Sequence, residues 1–351
     1  MHKINKEIIA NLMGVLLLFN GGFMLLSSLV SLVTKDGVTV EITSSAFLIL
    51  FLGLFIMLLS RNHTKQIQKR EGYIIVSFGW VLMSLSGMLP YIFSGVIPDV
   101  SSAFFETMSG YTTTGSSILT DIESVPKGIL FWRSTTHWIG GMGIIVIAIA
   151  ILPLLGIGGM QLFTAEAPGP SSDKLHPRIT DTAKRLWFIY VGFTLAETLL
   201  LSVAGMSFFD AINHAMSTVS TGGFSTKNSS VAYWNDTPVI QYIITFFMLI
   251  AGTNFVLSYF AFTGKIQKIL RDQEFKFFIK FIAVVTLLVT VILYSTVDIT
   301  KSSFEHPQVL GIFESSFRHA FFQIVAVITT TGFVSADFTS WTPFLTILFF
   351  G

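Results

Sequence analysis

The 351-residue chain contains no cysteine. That excludes disulfides, thiolate metal sites and cysteine nucleophiles, and it is silent on redox compartment. Charge is scarce as well, with Asp, Glu, Lys and Arg making up 12% of the residues. The 21 basic and 20 acidic side chains leave a net charge of +1. Bulk electrostatics therefore gives no support to a nucleic-acid partner. The seven histidines are scattered. No span or loop holds paired carboxylates, a histidine cluster, a nucleophile–base pair or metal-ligand spacing, so an enzyme is the least favoured class. No signal peptide is expected: the first apolar segment, Ile8 to Val33, is too long for an h-region and lacks an obvious small-residue cleavage site.

Apolar residues dominate instead, at 52% of the chain, with 35 phenylalanines. Such a composition argues against disorder and against a soluble globular protein. A helix that crosses a bilayer needs roughly 20 mostly apolar residues. Candidate spans run over about 8–33, 43–60, 73–96, 129–157, 185–206, 238–263, 278–297 and, in part, 342–351. Shorter apolar runs lie at about 101–111, 208–219 and 315–328. These are too short to cross and are expected to be re-entrant pore helices. Non-helical backbone at that depth is tolerated only where protein or a water-filled cavity surrounds it. The expected fold class is an all-α membrane protein.

Charge placement gives an orientation. With a cytoplasmic N-terminus, the inside segments are 1–7, 61–72, 158–184 and 264–280. They hold most of the 21 basic residues. Only Lys35, Lys127, Arg133, Lys227, Lys301 and Arg318 fall outside.

Three segments repeat one motif on that outer side. They are Thr113-Thr114-Gly115-Ser116, Thr221-Gly222-Gly223-Phe224 and Thr330-Thr331-Gly332-Phe333, with glycines about 108 residues apart. Two positions before each glycine is threonine. Three before is a hydroxyl residue: Thr112, Ser220, Thr329. Nine before is polar: Glu106, His214, Gln323. A dehydrated monovalent cation needs neutral oxygens in place of its water, and rings of backbone carbonyls supply them. Aiming successive carbonyls at one axis demands unusual backbone angles, which glycine reaches without steric cost. A filter without carboxylates favours monovalent ions over calcium. A monovalent cation at these carbonyls would be the substrate, and no cofactor is expected. Thr112, Ser220, Thr329 and Glu106 are the expected supports, Glu106 through hydrogen bonds to backbone amides.

The chain thus divides into a helix pair (1–70) and units of helix, pore helix, filter and helix at 71–160, 161–265 and 266–351. It resembles the TrkH branch of the Trk/Ktr potassium-uptake superfamily over essentially its whole length. The resemblance rests on Phe105-Glu106-Thr107-Met108-Ser109-Gly110-Tyr111-Thr112-Thr113-Thr114-Gly115 and Trp138-Ile139-Gly140-Gly141-Met142-Gly143-Ile144-Ile145. Gly156-Ile157-Gly158-Gly159-Met160-Gln161, Glu166-Ala167-Pro168-Gly169-Pro170 and Gly222-Gly223-Phe224-Ser225-Thr226 add to it. It implies four units around a pseudo-fourfold pore in a homodimer, in a bacterial inner membrane, conducting K⁺. It also implies a TrkA-like cytoplasmic regulatory ring that binds nucleotide and docks on the inner loops 264–280 and 164–185. The family's fourth unit and the glycine-rich gate in the second helix of the third unit are not in these residues, so the chain reads as C-terminally incomplete.

Other residues admit two readings. Gly140, Gly141 and Gly143 fit close helix packing better than a flexible pore lining. For Glu197, the deepest carboxylate, structural pairing and an ion-linked role stay open. Arg133, His137 and Arg318 near span ends read as snorkelling or anchoring groups. Alternatives to a K⁺ pore are an H⁺- or Na⁺-coupled symporter and a truncated, non-conducting membrane subunit.

Overall fold

The computed structural model describes residues 4–61, 69–143, 179–253, 255–296 and 309–350. The motif strings from Ile144 to Pro170, the second half of the span expected at 129–157 and most of loop 164–185 lie outside the described residues. Among the described residues the secondary structure is helical, with no strand. The chain forms two compact units, Met1–Phe188 and Ile189–Gly351.

The first unit opens with α1 (Lys6–Thr34) and α2 (Thr39–Leu59), both long and apolar enough to cross a membrane. They meet through glycine. A Cβ on Gly14 would lie 2.8 Å from the Gly53 carbonyl, and one on Gly53 would lie 2.9 Å from that of Gly14. Small residues allow such backbone contact, which drives helix association in lipid. Next come α3 (Lys69–Gly87) and α4 (Leu89–Phe93), which together form a crossing-length segment, Arg70–Phe93. The short α5 (Val100–Tyr111) and α6 (Lys127–Gly141) follow. Asp99 caps α5, accepting a hydrogen bond from the Ser102 amide at 2.8 Å. That bond holds the exposed Asp99 carboxyl below the usual carboxylate range. With 12 residues, α5 spans about 18 Å, against roughly 30 Å of hydrocarbon.

Buried polar groups position α5. Tyr111 donates to Asn20 Oδ1 on α1 at 2.5 Å, and Asn20 donates to Ser86 on α3 at 2.7 Å. Trp132 on α6 donates to the Gly87 carbonyl at 2.8 Å. Gly140 packs directly on the end of α5, because a Cβ there would sit 2.1 Å from the Tyr111 carbonyl oxygen. Close packing is thus the role of Gly140, as expected. Gly140→Ala should sharply lower the yield of folded protein, read by size-exclusion profile, whereas Gly22→Ala, where a Cβ meets nothing within 4 Å, should not.

The second unit takes the part of α7 (Ile179–Val203) from Ile189 onward, then α8 (Phe208–Val219), α9 (Pro238–Ala251) and α10 (Phe255–Phe262). It continues with α11 (Ile266–Arg271), α12 (Gln273–Thr296), α13 (Ile312–Ile328) and α14 (Pro343–Phe350). Crossing-length helices are Lys184–Val203 and Gln273–Ser295. The core gathers Leu201, Ile244, Met248, Phe322, Val325 and Phe333. One expectation needs correction: the span at 238–263 is not continuous, and α9 ends at Ala251. A Cβ on Gly252 would lie 2.4 Å from Thr329 Cγ2, so the chain passes the end of α13 too closely for a side chain. The Thr253 hydroxyl then donates to the Ile250 carbonyl at 2.7 Å, taking up a helix-end acceptor.

Candidate ion-conduction site

The three Thr-x-Gly segments follow α5, α8 and α13, and they share one backbone conformation. Thr113, Thr221 and Thr330 have φ of 52°, 53° and 58°. Gly115, Gly223 and Gly332 have φ of 77°, 79° and 76°. The residues between them, Thr114, Gly222 and Thr331, are not left-handed. Alternating handedness turns consecutive peptide groups into one concave row. Left-handed glycine was expected; left-handed threonine was not, since a β-branched residue there is an outlier. Each such threonine carries strain of about 1–3 kcal/mol and persists only where its surroundings over-determine it.

Helix ends supply that determination. After α5 the Thr113 amide donates to the Gly110 carbonyl at 3.1 Å and Thr114 to Ser109 at 2.9 Å. After α8, Thr221 donates to Thr218 at 2.9 Å and Gly222 to Ser217 at 2.8 Å. Both pairs are Schellman caps, in which a left-handed residue follows the helix end and two orphan carbonyls gain donors. The third copy varies the scheme: Thr330 donates to Val327 at 3.0 Å, but Gly332 rather than Thr331 reaches Ala326, at 3.1 Å. Hydroxyls complete the ends. Thr112 Oγ1 donates to Met108 at 2.8 Å, Ser220 Oγ to Ser217 at 3.1 Å and Thr329 Oγ1 to Val325 at 2.7 Å. Thr112 also pairs with the Thr114 hydroxyl, and Thr329 with that of Thr331, each at 2.8 Å.

The polar residue nine places before each glycine holds the strand beyond it. Glu106 accepts from the Ser117 hydroxyl and the Ile118 amide, both at 2.9 Å, and pairs with Arg133 at 2.7 Å. His214 Nε2 meets the Ser225 hydroxyl at 2.9 Å, while its Nδ1 meets the Asp210 carbonyl at 2.8 Å. Gln323 donates to Ser335 at 3.4 Å, and His319 meets the same hydroxyl at 3.1 Å. Glu106, His214 and Gln323 are buried. The amide contact expected of Glu106 is present. The serine partners were missed, although a serine two or three places after each glycine was visible in the sequence. Ser116 differs from its counterparts Phe224 and Phe333. Its carbonyl accepts from Ser109 at 2.7 Å, whereas the two phenylalanines are buried.

Within the second unit the second and third segments are neighbours. A Cβ on Gly223 would lie 1.9 Å from the Thr331 carbonyl oxygen. A 3-10 turn at Ser230–Trp234 clasps the third segment: Ala232 donates to the Val334 carbonyl at 3.0 Å, and the Val334 amide donates to Ser230 Oγ at 3.2 Å. The His214 ring lies 5.6 Å from that of Phe333.

Arg133 and Arg318 do not snorkel; both are buried anchors. Arg318 donates to Glu314 at 2.9 Å and also bonds Gln241, which in turn bonds Asn235. His137 is buried as well. Glu197 is fully buried, and neither carboxylate oxygen has a hydrogen-bond partner among the described residues. The Thr218 hydroxyl is directed to the His214 carbonyl at 2.8 Å. Among the described residues no cluster of His, Asp and Glu is arranged to hold a metal ion.

Helices of crossing length interleaved with short helices that end in matched turns mark a multi-pass helical membrane protein. Residues 39–351 match the TrkH family, described as cation transport protein. The chain belongs to this family. It is 41% identical over 344 residues to the Trk system potassium uptake protein TrkH of Salmonella typhimurium, covering 97% of this chain and 68% of that protein. The Trk system potassium uptake protein TrkG of Escherichia coli is 38% identical over 289 residues, covering 81% of this chain and 56% of the relative. The crystal structure of the potassium transporter TrkH from Vibrio parahaemolyticus matches with a TM-score of 0.82 at 35% identity, covering 99% of this chain and 69% of that one.

Proposed function

We propose that this chain is a potassium-uptake pore subunit, passing K⁺ and Rb⁺ through a filter of backbone carbonyls. One observation carries the reading: a strained threonine and a left-handed glycine recur with the same φ in all three segments. A structural helix cap needs only one left-handed residue, usually glycine. Two per copy, with threonine in the first, are what an alternating carbonyl row requires. The ligands are the carbonyls flanking Gly115, Gly223 and Gly332. The Ser116 carbonyl, turned to Ser109, contributes least. Oxygen dipoles without a carboxylate replace the water of a monovalent ion. Relatives named for potassium uptake support the choice of ion.

The remaining assignments follow the same reading. The chain comprises a helix pair at 1–70 and pore units at 71–160, 161–265 and 266–351. It lies in a bacterial inner membrane with a cytoplasmic N-terminus, works as a homodimer and is gated by a TrkA-like ring that binds nucleotide. Reconstituted into vesicles, the full chain should carry K⁺ and Rb⁺ and exclude most Na⁺. Equal Na⁺ flux would contradict it.

Proton-coupled symport is a second reading, favoured by the fully buried carboxyl of Glu197 alone. Uptake by Glu197→Gln should match wild type at every proton gradient if the protein is a channel. Loss of gradient dependence in that variant would support symport.

A further inference from the structure

The second unit contains an apolar cavity of about 490 Å³, distinct from the Thr-x-Gly segments. Phe193 of α7, Phe246 of α9, Leu257 and Ala261 of α10, Ile269 of α11 and Ile279 of α12 line it. Its volume is that of a small-molecule site, about 300–1,000 Å³. Among the described residues, Ser258 and Thr253 are the only hydroxyl-bearing ones in the lining. Phe246, Ala261 and Ile279 are exposed, so the cavity opens to its surroundings, and inside a bilayer its natural filling is hydrocarbon.

The rim has the opposite chemistry. Helix α11 directs the half-buried Ile269 into the cavity and leaves Lys265, Lys268 and Arg271 exposed within one turn of it. The Lys268 ammonium is held 4.7 Å from the centre of the Phe260 ring, beside the α10 residues of the lining. None of the three has an ion-pair partner among the described residues. Asp272 is occupied as a helix cap, accepting from the Phe275 amide at 2.7 Å. An open apolar groove beside cations without an ion-pair partner matches an acyl chain joined to an anionic headgroup. A zwitterionic lipid brings its own ammonium beside its phosphate and so offsets the three cations less, and a basic pocket between membrane helices is a known form of anionic-lipid site. We infer that this cavity and the α11 rim bind one anionic phospholipid. The orientation proposed above assigns it to the cytoplasmic leaflet; the site itself does not depend on which ion the protein carries.

Native mass spectrometry of the full protein, titrated with phosphatidylglycerol or phosphatidylethanolamine of matched chains, tests this. Phosphatidylglycerol should bind with a preference approaching about a hundredfold, the scale of three basic residues at a membrane surface. The triple variant K265Q/K268Q/R271Q, changed only at exposed positions, should lose that preference and keep the wild-type elution profile. Ala261→Phe, which fills the cavity, should reduce binding of both lipids. Equal affinity for the two headgroups in wild type would overturn the inference. So would a preference that survives the triple variant, or lipid binding unchanged by Ala261→Phe because another segment fills the cavity. Loss of regulator binding in the triple variant with lipid binding intact would also overturn it.

Discussion

Gly223→Ala should abolish selective uptake, while Gly332→Ala should only weaken it. Both residues have φ near 78°, at 79° and 76°. A left-handed alanine costs about 1–2 kcal/mol in either place. Their surroundings differ. A Cβ at Gly332 meets nothing within 4 Å, whereas one at Gly223 lies 1.9 Å from the Thr331 carbonyl oxygen. No side-chain rotation relieves that contact, because the colliding atom is backbone. The Thr331 carbonyl must move, and it is one of the proposed ion ligands. A tenfold loss of rate corresponds to about 1.4 kcal/mol, so Gly223→Ala should exceed it and Gly332→Ala should lie near it. The Rb⁺-to-Na⁺ flux ratio in vesicles reads the difference. Equal tolerance of the two substitutions would contradict the close approach.

The second large effect is expected at the Glu106–Arg133 pair. Both side chains are buried, at 0% and 3% exposure, and the separation is 2.7 Å. Removing one member leaves the other charge without its counter-ion in a low-dielectric site, a loss of roughly 3–5 kcal/mol. Replacing both with uncharged residues of similar volume is often nearly neutral. Glu106→Gln and Arg133→Met should each lower the thermal unfolding midpoint strongly, and the double variant should recover much of the loss. Selectivity should not recover, because Glu106 also holds Ser117 and the Ile118 amide at 2.9 Å. Simple additivity of the two single effects would show that the pair is not coupled.

Long-range pattern was the legible part of this chain. Apolar runs at 101–111 and 208–219 anticipate α5 and α8 to within a residue, and the run at 315–328 anticipates α13 but for its first turn, because length separates short helices from those of crossing length. The polar residue nine before each glycine also marks a real anchor. What stayed hidden depends on contact between distant residues. Just past the break at Ala251, Gly252 packs against Thr329, far along the chain. Apolar periodicity through 238–263 carries no trace of it. The left-handed threonines were illegible for another reason: propensity argues against them, and only the cap geometry and hydroxyl bonds make them tenable. For Arg133 and Arg318 the sequence left snorkelling and anchoring open, and burial decides for anchoring: Arg133 meets Glu106 only in three dimensions, whereas Glu314 lies four residues before Arg318 on the same helix.

The most direct test of the filter is to locate the ion. Crystals of the full protein grown in Rb⁺ should show anomalous density in line with the carbonyls that flank Gly115, Gly223 and Gly332, and Na⁺ should not displace it. Rb⁺ density at Glu197 instead, or no density beside the three glycines, would contradict a carbonyl filter.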